Sequence, residues 1–167
     1  MKKKTFLITG GSGGIGAALA HKLVKTSYTP LIVYKSNREK AEDLARAVDG
    51  EAIELNLIDL DAVDRVVANL AASDVVLAGV VLGASAALRI TSFGHISEQD
   101  MENQWRVNVL GHQRLLAGLV RNVFRKRKQG IVVGVLSDAM GTTEKANLTS
   151  MGAYITAKYG LQGLPAV

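Results

Sequence analysis

The sequence predicts an α/β fold, a doubly wound parallel sheet of strand order 3-2-1-4-5 with helices on both faces. Three observations predict it. Residues 4–22 run from an apolar segment through a glycine cluster into a helical pattern. Apolar runs of strand length then alternate with segments of helix length, five times in all. The runs at 75–82 and 131–136 are apolar without alternation, the pattern of strands covered on both faces.

The first strand, Phe6-Leu7-Ile8, ends at Thr9. Gly10, Gly11, Gly13, Gly14 and Gly16 follow, with Ser12 and Ile15 among them, and then the helical pattern Ala17, Ala18, Leu19, Ala20, Leu23, Val24. Glycines admit positive φ and let a backbone approach a phosphate without a Cβ in the way. A helix opening there points free N–H groups and a positive dipole end at that phosphate. Strand, glycine turn and helix in this order open a dinucleotide-binding unit. Gly11, Gly13 and Gly16 satisfy G-x-G-x-x-G. Thr9-Gly10 with Gly14-Ile15-Gly16 satisfies the longer T-G-x-x-x-G-I-G, which starts where the strand ends and is preferred. The ordinary alternative is a turn that binds nothing, in which five glycines cost folding entropy without return.

Pro30 opens a second run, Leu31 to Tyr34, and Asn37 is placed as N-cap of a helix over 38–48. Asp49-Gly50 turns the chain into a third strand over 51–57. Asp59 or Asp61 starts a third helix with Leu60, Val63, Val66, Val67 and Leu70 on one face. After the fourth strand, 83–96 is loop. Ser97 and Asp100 approach a capping box, and a long helix runs to about Arg125. Residues 131–136 form a fifth, buried strand, 137–150 a polar loop, and a last helix from about Met151 ends at Pro165. The whole length, 1–167, makes one domain.

Composition narrows the class. With 48% hydrophobic and 21% charged residues the chain is an ordinary globular one. It has no cysteine, which removes disulfides and thiolate chemistry and leans towards a reducing compartment. The net charge of +5 favours anionic partners, but much of it sits in Lys2-Lys3-Lys4 and Arg125-Lys126-Arg127-Lys128, solvated edges of elements. Without interleaved aromatics these runs argue weakly for nucleic acid. The amino-terminal residues imitate a secretory signal, but the glycine cluster breaks its apolar centre, and no stretch is long enough to span a membrane. A cytoplasmic protein is expected. His21, His95 and His112 have no metal-ligand spacing, so no catalytic metal is expected.

Four residues carry the candidate chemistry: Asn108, Ser137, Tyr154 and Lys158. Tyr154 and Lys158 are i and i+4 and share a helix face. A phenol is a poor base at neutral pH. An ammonium about 6 Å away, at an effective dielectric near 20, contributes roughly 3 kcal/mol, or about two pKa units. That suits general acid/base catalysis. The same spacing also describes a packed aromatic beside a solvated lysine. Ser137 ends the fifth strand, where it orients a substrate carbonyl or simply caps a turn. Asn108 lies among Val107, Val109 and Leu110, either in the site or as a satisfied core amide.

Together these residues resemble the short-chain dehydrogenase/reductase family over essentially the whole chain. The motifs are Thr9-Gly10-x-x-x-Gly14-Ile15-Gly16, Asn108 in Val107-Asn108-Val109-Leu110-Gly111, Ser137 after the fifth strand, and Tyr154-x-x-x-Lys158. The resemblance implies a Rossmann-like fold and hydride transfer between NAD(P)H and a carbonyl or alcohol. It implies Tyr154 as proton donor or acceptor and Ser137 as orienter of the oxygen. Lys158 would lower the tyrosine pKa and hold the nicotinamide ribose, and Asn108 would support a water-linked proton relay. Cofactor contacts are expected from Gly10, Ser12, Gly13, Gly14, Ile15, Gly16, Asn56, Leu57 and Ala84, and from Tyr154 and Lys158. Where an acid after the second strand would take the ribose 2′-OH of NAD, this chain has Lys35-Ser36-Asn37-Arg38. Lys35, Ser36 and Arg38 could hold a 2′-phosphate, which favours NADP(H); they could also be surface charges at a helix start.

Three places depart from the family pattern. Leu82-Gly83-Ala84-Ser85 replaces an N-N-A-G-like segment and removes its asparagine support. Asn56 stands where an aspartate is usual, and the 137–154 loop is somewhat long. Relatives continue past Tyr154 and Lys158 with a substrate-covering segment and further strands, so the chain reads as C-terminally shortened, with an exposed fifth-strand edge. The expected function is carbonyl reduction, with a non-catalytic dinucleotide-binding or scaffold protein as the alternative and a nucleic-acid binder as a weaker third. The resemblance also implies a homodimer or homotetramer, paired through helices around 105–125 and 154–164.

Overall fold

The computed structural model describes residues 3–141 and 145–165. Five strands, β1 (Lys4–Thr9), β2 (Tyr28–Tyr34), β3 (Glu51–Glu54), β4 (Val76–Leu82) and β5 (Ile131–Gly134), form one sheet in the order β3-β2-β1-β4-β5. Every pairing is parallel. This is the expected Rossmann-like order. The crossovers are α1 (Gly14–Val24), α2 (Arg38–Ala47), α3 (Leu60–Ala72) and a long helical run from Glu98 to Arg127. That run comprises α4 (Glu98–Trp105), a π-helical stretch (Arg106–Gly111), α5 (His112–Leu119), a second π-helical stretch (Val120–Phe124) and α6 (Arg125–Arg127). The last helix is α7 (Gly152–Gly163). Residues 142–144 of the expected polar loop, and Lys2 of the basic cluster, lie outside the described residues.

The apolar runs are continuous because both sheet faces are covered. Leu7, Leu31, Val33, Val80 and Leu82 face α3, α5 and α7, where Val63, Leu115, Leu119 and Leu161 meet them. Phe6, Ile8, Ile32 and Val81 face α1 and α2, where Ala20, Ala41 and Ala45 meet them. Each fully buried aliphatic side chain contributes about 2 kcal/mol of transfer free energy. Helix starts follow the local chemistry. Asn37 Oδ1 accepts from Lys40 N at 3.1 Å, Asp59 Oδ1 accepts from Ala62 N at 2.9 Å, and Ser97 with Asp100 makes a complete capping box.

Three elements differ from expectation. β2 starts at Tyr28, with Pro30 inside it. The Pro30 carbonyl faces Gly50, ahead of the first β2–β3 pair at Leu31 and Glu51, so its missing N–H removes no bond to β3. β3 ends at Glu54 rather than at 57, because Asn56 turns the chain: its carbonyl accepts from Asp59 N and its side chain from Ile58 N. β5, expected over 131–136 as a buried-type strand with an exposed edge, stops at Gly134; it is the edge of the described sheet, with Ile131 51% and Val133 43% exposed. Val133 pairs with Val81, so these two residues lie on the α1–α2 face, at its outer edge.

Candidate active site

The carboxyl ends of the strands meet where the order turns from β1 to β4, and a cleft opens there. Gly10, Lys35, Asn56, Leu57, Ala84 and Ser85 line it. Gly10 has φ +66°, and a Cβ on it would sit 2.9 Å from Ala84 Cα. The turn between β1 and α1 is thereby pressed onto the turn after β4. Gly16 lies equally tight, 2.6 Å from the Gly10 carbonyl in the same construction, so α1 starts against the turn.

Gly14 is different, for a Cβ there would meet nothing within 4 Å. Its lack of a side chain serves no packing among the described residues, and leaves space in front of the α1 N-terminus. That end has no side-chain cap and no acid in its first turn. Ile15, 68% exposed, points out beside it. Unpaired N–H groups, the positive helix end and open space suit a phosphate. These residues fit a dinucleotide.

At the end of β2, Lys35 and Ser36 are exposed, and Lys35 lines the cleft. Arg38 is already engaged. Its Nε donates to the Tyr34 hydroxyl at 3.1 Å, and its guanidinium lies 3.6 Å from both Glu42 and Glu54. The tyrosine contact and the two carboxylates hold its pKa above the ordinary arginine value. A 2′-phosphate would have to compete with those carboxylates, so Lys35 and Ser36 are the freer ligands.

α7 carries Tyr154 half-buried and Lys158 buried. The Lys158 ammonium lies 5.5 Å from the Tyr154 ring centroid and donates to the Val135 carbonyl at 2.8 Å. Burial lowers its pKa. Val135 continues β5, its N–H donating to the Leu82 carbonyl at 3.0 Å, and Ser137 is two residues further on. The lysine therefore ties the Tyr154 face of α7 to the segment that presents Ser137. Ser137 lies three residues beyond β5 and caps a short 3₁₀ turn, its Oγ accepting from Ala139 N at 3.2 Å.

Asn108 is fully buried in the first π-helical stretch, a local widening common at functional sites. Its Nδ2 donates to the carbonyl and the side-chain oxygen of Gln104, at 3.0 and 2.8 Å. Its Oδ1 has no partner among the described residues. An orphaned buried oxygen is an acceptor in wait for a water or a ligand group.

Beside the site, His112 is not among the candidate site residues, and Thr9 enters the sequence reading only as the start of the glycine motif. His112, fully buried one turn after Asn108, places Nδ1 3.1 Å from the Asn108 carbonyl and Nε2 2.9 Å from Thr9 Oγ1. Burial first, and the Lys158 charge second, lower its pKa to about 4, against the Asn108 hydrogen bond. Thr9 Oγ1 also receives N–H groups from Gly83 and Ala84, at 2.8 and 3.1 Å. The i, i+4 spacing of Asn108 and His112 was the sequence signal for a shared face.

The family model described as short chain dehydrogenase matches residues 4–167. The chain belongs to the short-chain dehydrogenase family. It is 29% identical over 160 residues to a 3-oxoacyl-[acyl-carrier-protein] reductase, FabG, of Aggregatibacter actinomycetemcomitans, covering 91% of this chain and 65% of that protein. An uncharacterized oxidoreductase of Mycobacterium bovis is 30% identical over 175 residues, covering 98% of this chain and 49% of its own. A crystal structure of a short-chain dehydrogenase from Streptomyces avermitilis superposes with a TM-score of 0.85 at 27% identity, covering 97% of this chain and 58% of that one. The chain thus spans about half to two thirds of the length of these relatives. Family membership accounts for the sheet order and for the glycine turn at its switch point. Among the described residues no helix is long and apolar enough to cross a membrane, and no group of acidic or histidine side chains could hold a metal.

Proposed function

We propose that the chain carries the dinucleotide site and acid/base residues of an NADP(H)-dependent oxidoreductase that reduces a carbonyl or oxidises an alcohol. The observation that carries this is the Lys158 tether. It holds the Tyr154 face of α7 to the β5 end that leads to Ser137. A bound nicotinamide dinucleotide supplies or takes the hydride. Gly10 and the open space at Gly14 admit its diphosphate to the α1 N-terminus, and Asn56, Leu57 and Ala84 line the way to Lys35. Ser12, Gly13, Ile15 and Gly16 complete the turn. Lys35 and Ser36 meet a 2′-phosphate, with Arg38 contributing only in competition with Glu42 and Glu54.

At the reacting end, Tyr154 gives its proton to the oxygen that becomes the alcohol, and Ser137 orients that oxygen. Lys158 holds its cation beside the phenol, and Asn108 Oδ1 receives a water that returns the proton. The substrate is a small molecule with a ketone or secondary alcohol; the FabG name points to a 3-oxoacyl thioester. Trp105 and Leu110, 41% and 43% exposed, stand on the helix around 105–125 expected to pair copies of the chain. A cytoplasmic location accords with the cysteine-free composition.

The test is turnover and binding on one pair of proteins. Tyr154→Phe abolishes NADPH oxidation with a ketone panel and leaves NADPH affinity unchanged. Activity that survives in Tyr154→Phe refutes the role of Tyr154. A second reading, binding without turnover, is favoured by Ser137 Oγ being used as a turn cap. It predicts NADPH binding by both proteins and oxidation by neither.

A further inference from the structure

Thr9 Oγ1 has one proton and two lone pairs. The Gly83 and Ala84 N–H groups donate to it at 2.8 and 3.1 Å and occupy the lone pairs. Its proton has two acceptors in reach, the Val81 carbonyl at 3.1 Å and His112 Nε2 at 2.9 Å. Across the ring, His112 Nδ1 faces the Asn108 carbonyl at 3.1 Å. A carbonyl only accepts, so Nδ1 carries a proton, and in a neutral ring Nε2 is then an acceptor. A doubly protonated ring would press a third donor on the Thr9 oxygen and displace one of the two amides. Among the described residues, the charged group that bears on the ring from a neighbouring element is Lys158, on α7, which disfavours a second cation.

Gly83 and Ala84 belong to the segment that lacks the asparagine expected from the family resemblance. Ala84 is also the residue against which Gly10 is pressed. We propose that His112 is a positioning residue for the dinucleotide cleft. Its Nε2 takes the Thr9 proton, and Thr9 in turn holds the Gly83–Ala84 turn against Gly10. An imidazole from the helix that carries Asn108 thus replaces the missing asparagine support. This rests on the dinucleotide reading above, and the link spans 103 residues of sequence between Thr9 and His112.

The test uses the full chain with ¹⁵N-histidine labelling and backbone amide resonances, beside calorimetry with NADPH. The expected result is an Nδ1–H tautomer for His112 at pH 7.5. In His112→Leu the Gly83 and Ala84 amide resonances shift and NADPH binds about tenfold more weakly. Thr9→Val does the same, and Thr9→Ser restores wild-type binding, a rescue that a purely space-filling role would not require. An Nε2–H tautomer overturns the proposal, as do unshifted Gly83 and Ala84 amides in a folded His112→Leu. If His112→Leu does not fold, the Thr9→Val and Thr9→Ser pair decides, and equal NADPH affinity in the two overturns the proposal. If the wild type binds neither NADPH nor NADH, the functional reading fails by itself. The positioning role is then judged on the two amides, which shift if it holds and stay if it does not.

Discussion

His112 makes the stability of the fold depend on pH in a calculable way. Its imidazole is fully buried, and desolvation lowers its pKa from 6.5 to about 4. Above pH 6.5 the ring is neutral in the folded and the unfolded chain, and its contribution to stability is fully present. As pH falls below 6.5 the unfolded chain binds a proton that the folded chain refuses, so stability is lost until about pH 4. At 1.36 kcal/mol per unit, the gap amounts to about 3 kcal/mol in all, and to about 2 kcal/mol between pH 7.5 and 5.0. Urea unfolding followed by circular dichroism at those two pH values measures it. The wild type should lose about 2 kcal/mol more than His112→Leu, since titrations common to both proteins cancel in the difference. Parallel losses in the two proteins would show that the ring is hydrated or already charged in the fold, and would refute the reasoning.

Two further outcomes follow from the packing. Gly16→Ala brings a Cβ to within 2.6 Å of the Gly10 carbonyl, so it should lower stability by roughly 1–3 kcal/mol and displace the turn, weakening NADPH binding in the same sample. Asp59→Ala removes the α3 cap and should cost about 1 kcal/mol by urea unfolding, with no change in NADPH affinity, because the Asp59 side chain does not line the cleft and its backbone N–H stays on the Asn56 carbonyl.

Much of the fold was legible because its signals are local. Asn37, Asp59 and Ser97 act within three or four residues of themselves, and each stands at the helix start expected of it. The glycine turn declares itself through the strand before it and the alanine-rich helix after it. Features set by contacts between distant segments were not legible. Pro30 looked like the opening of a strand, yet its tolerance inside β2 depends on where β3 begins, some twenty residues later. Arg38 looked like a free phosphate ligand, and only the β2–β3 pairing brings Glu54 beside it. The exposed edge of β5 is expected from the family resemblance, whereas its apolar run alone reads as a buried strand. In the site, the i, i+4 spacing of Tyr154 and Lys158 was visible, but the tie from Lys158 to Val135 was not. The role of His112 has no local signal, because its partner, Thr9, lies on the first strand of the sheet.

The measurement that tests the central claim most directly is a calorimetric titration of the purified chain with NADPH and, in parallel, with NADH. Lys35 and Ser36 beside the cleft, and the open space before the α1 N-terminus, predict binding of NADPH in the micromolar range and NADH at least about tenfold weaker. Binding of NADH as tight as NADPH would contradict the 2′-phosphate assignment, and no heat with either dinucleotide would contradict the site itself.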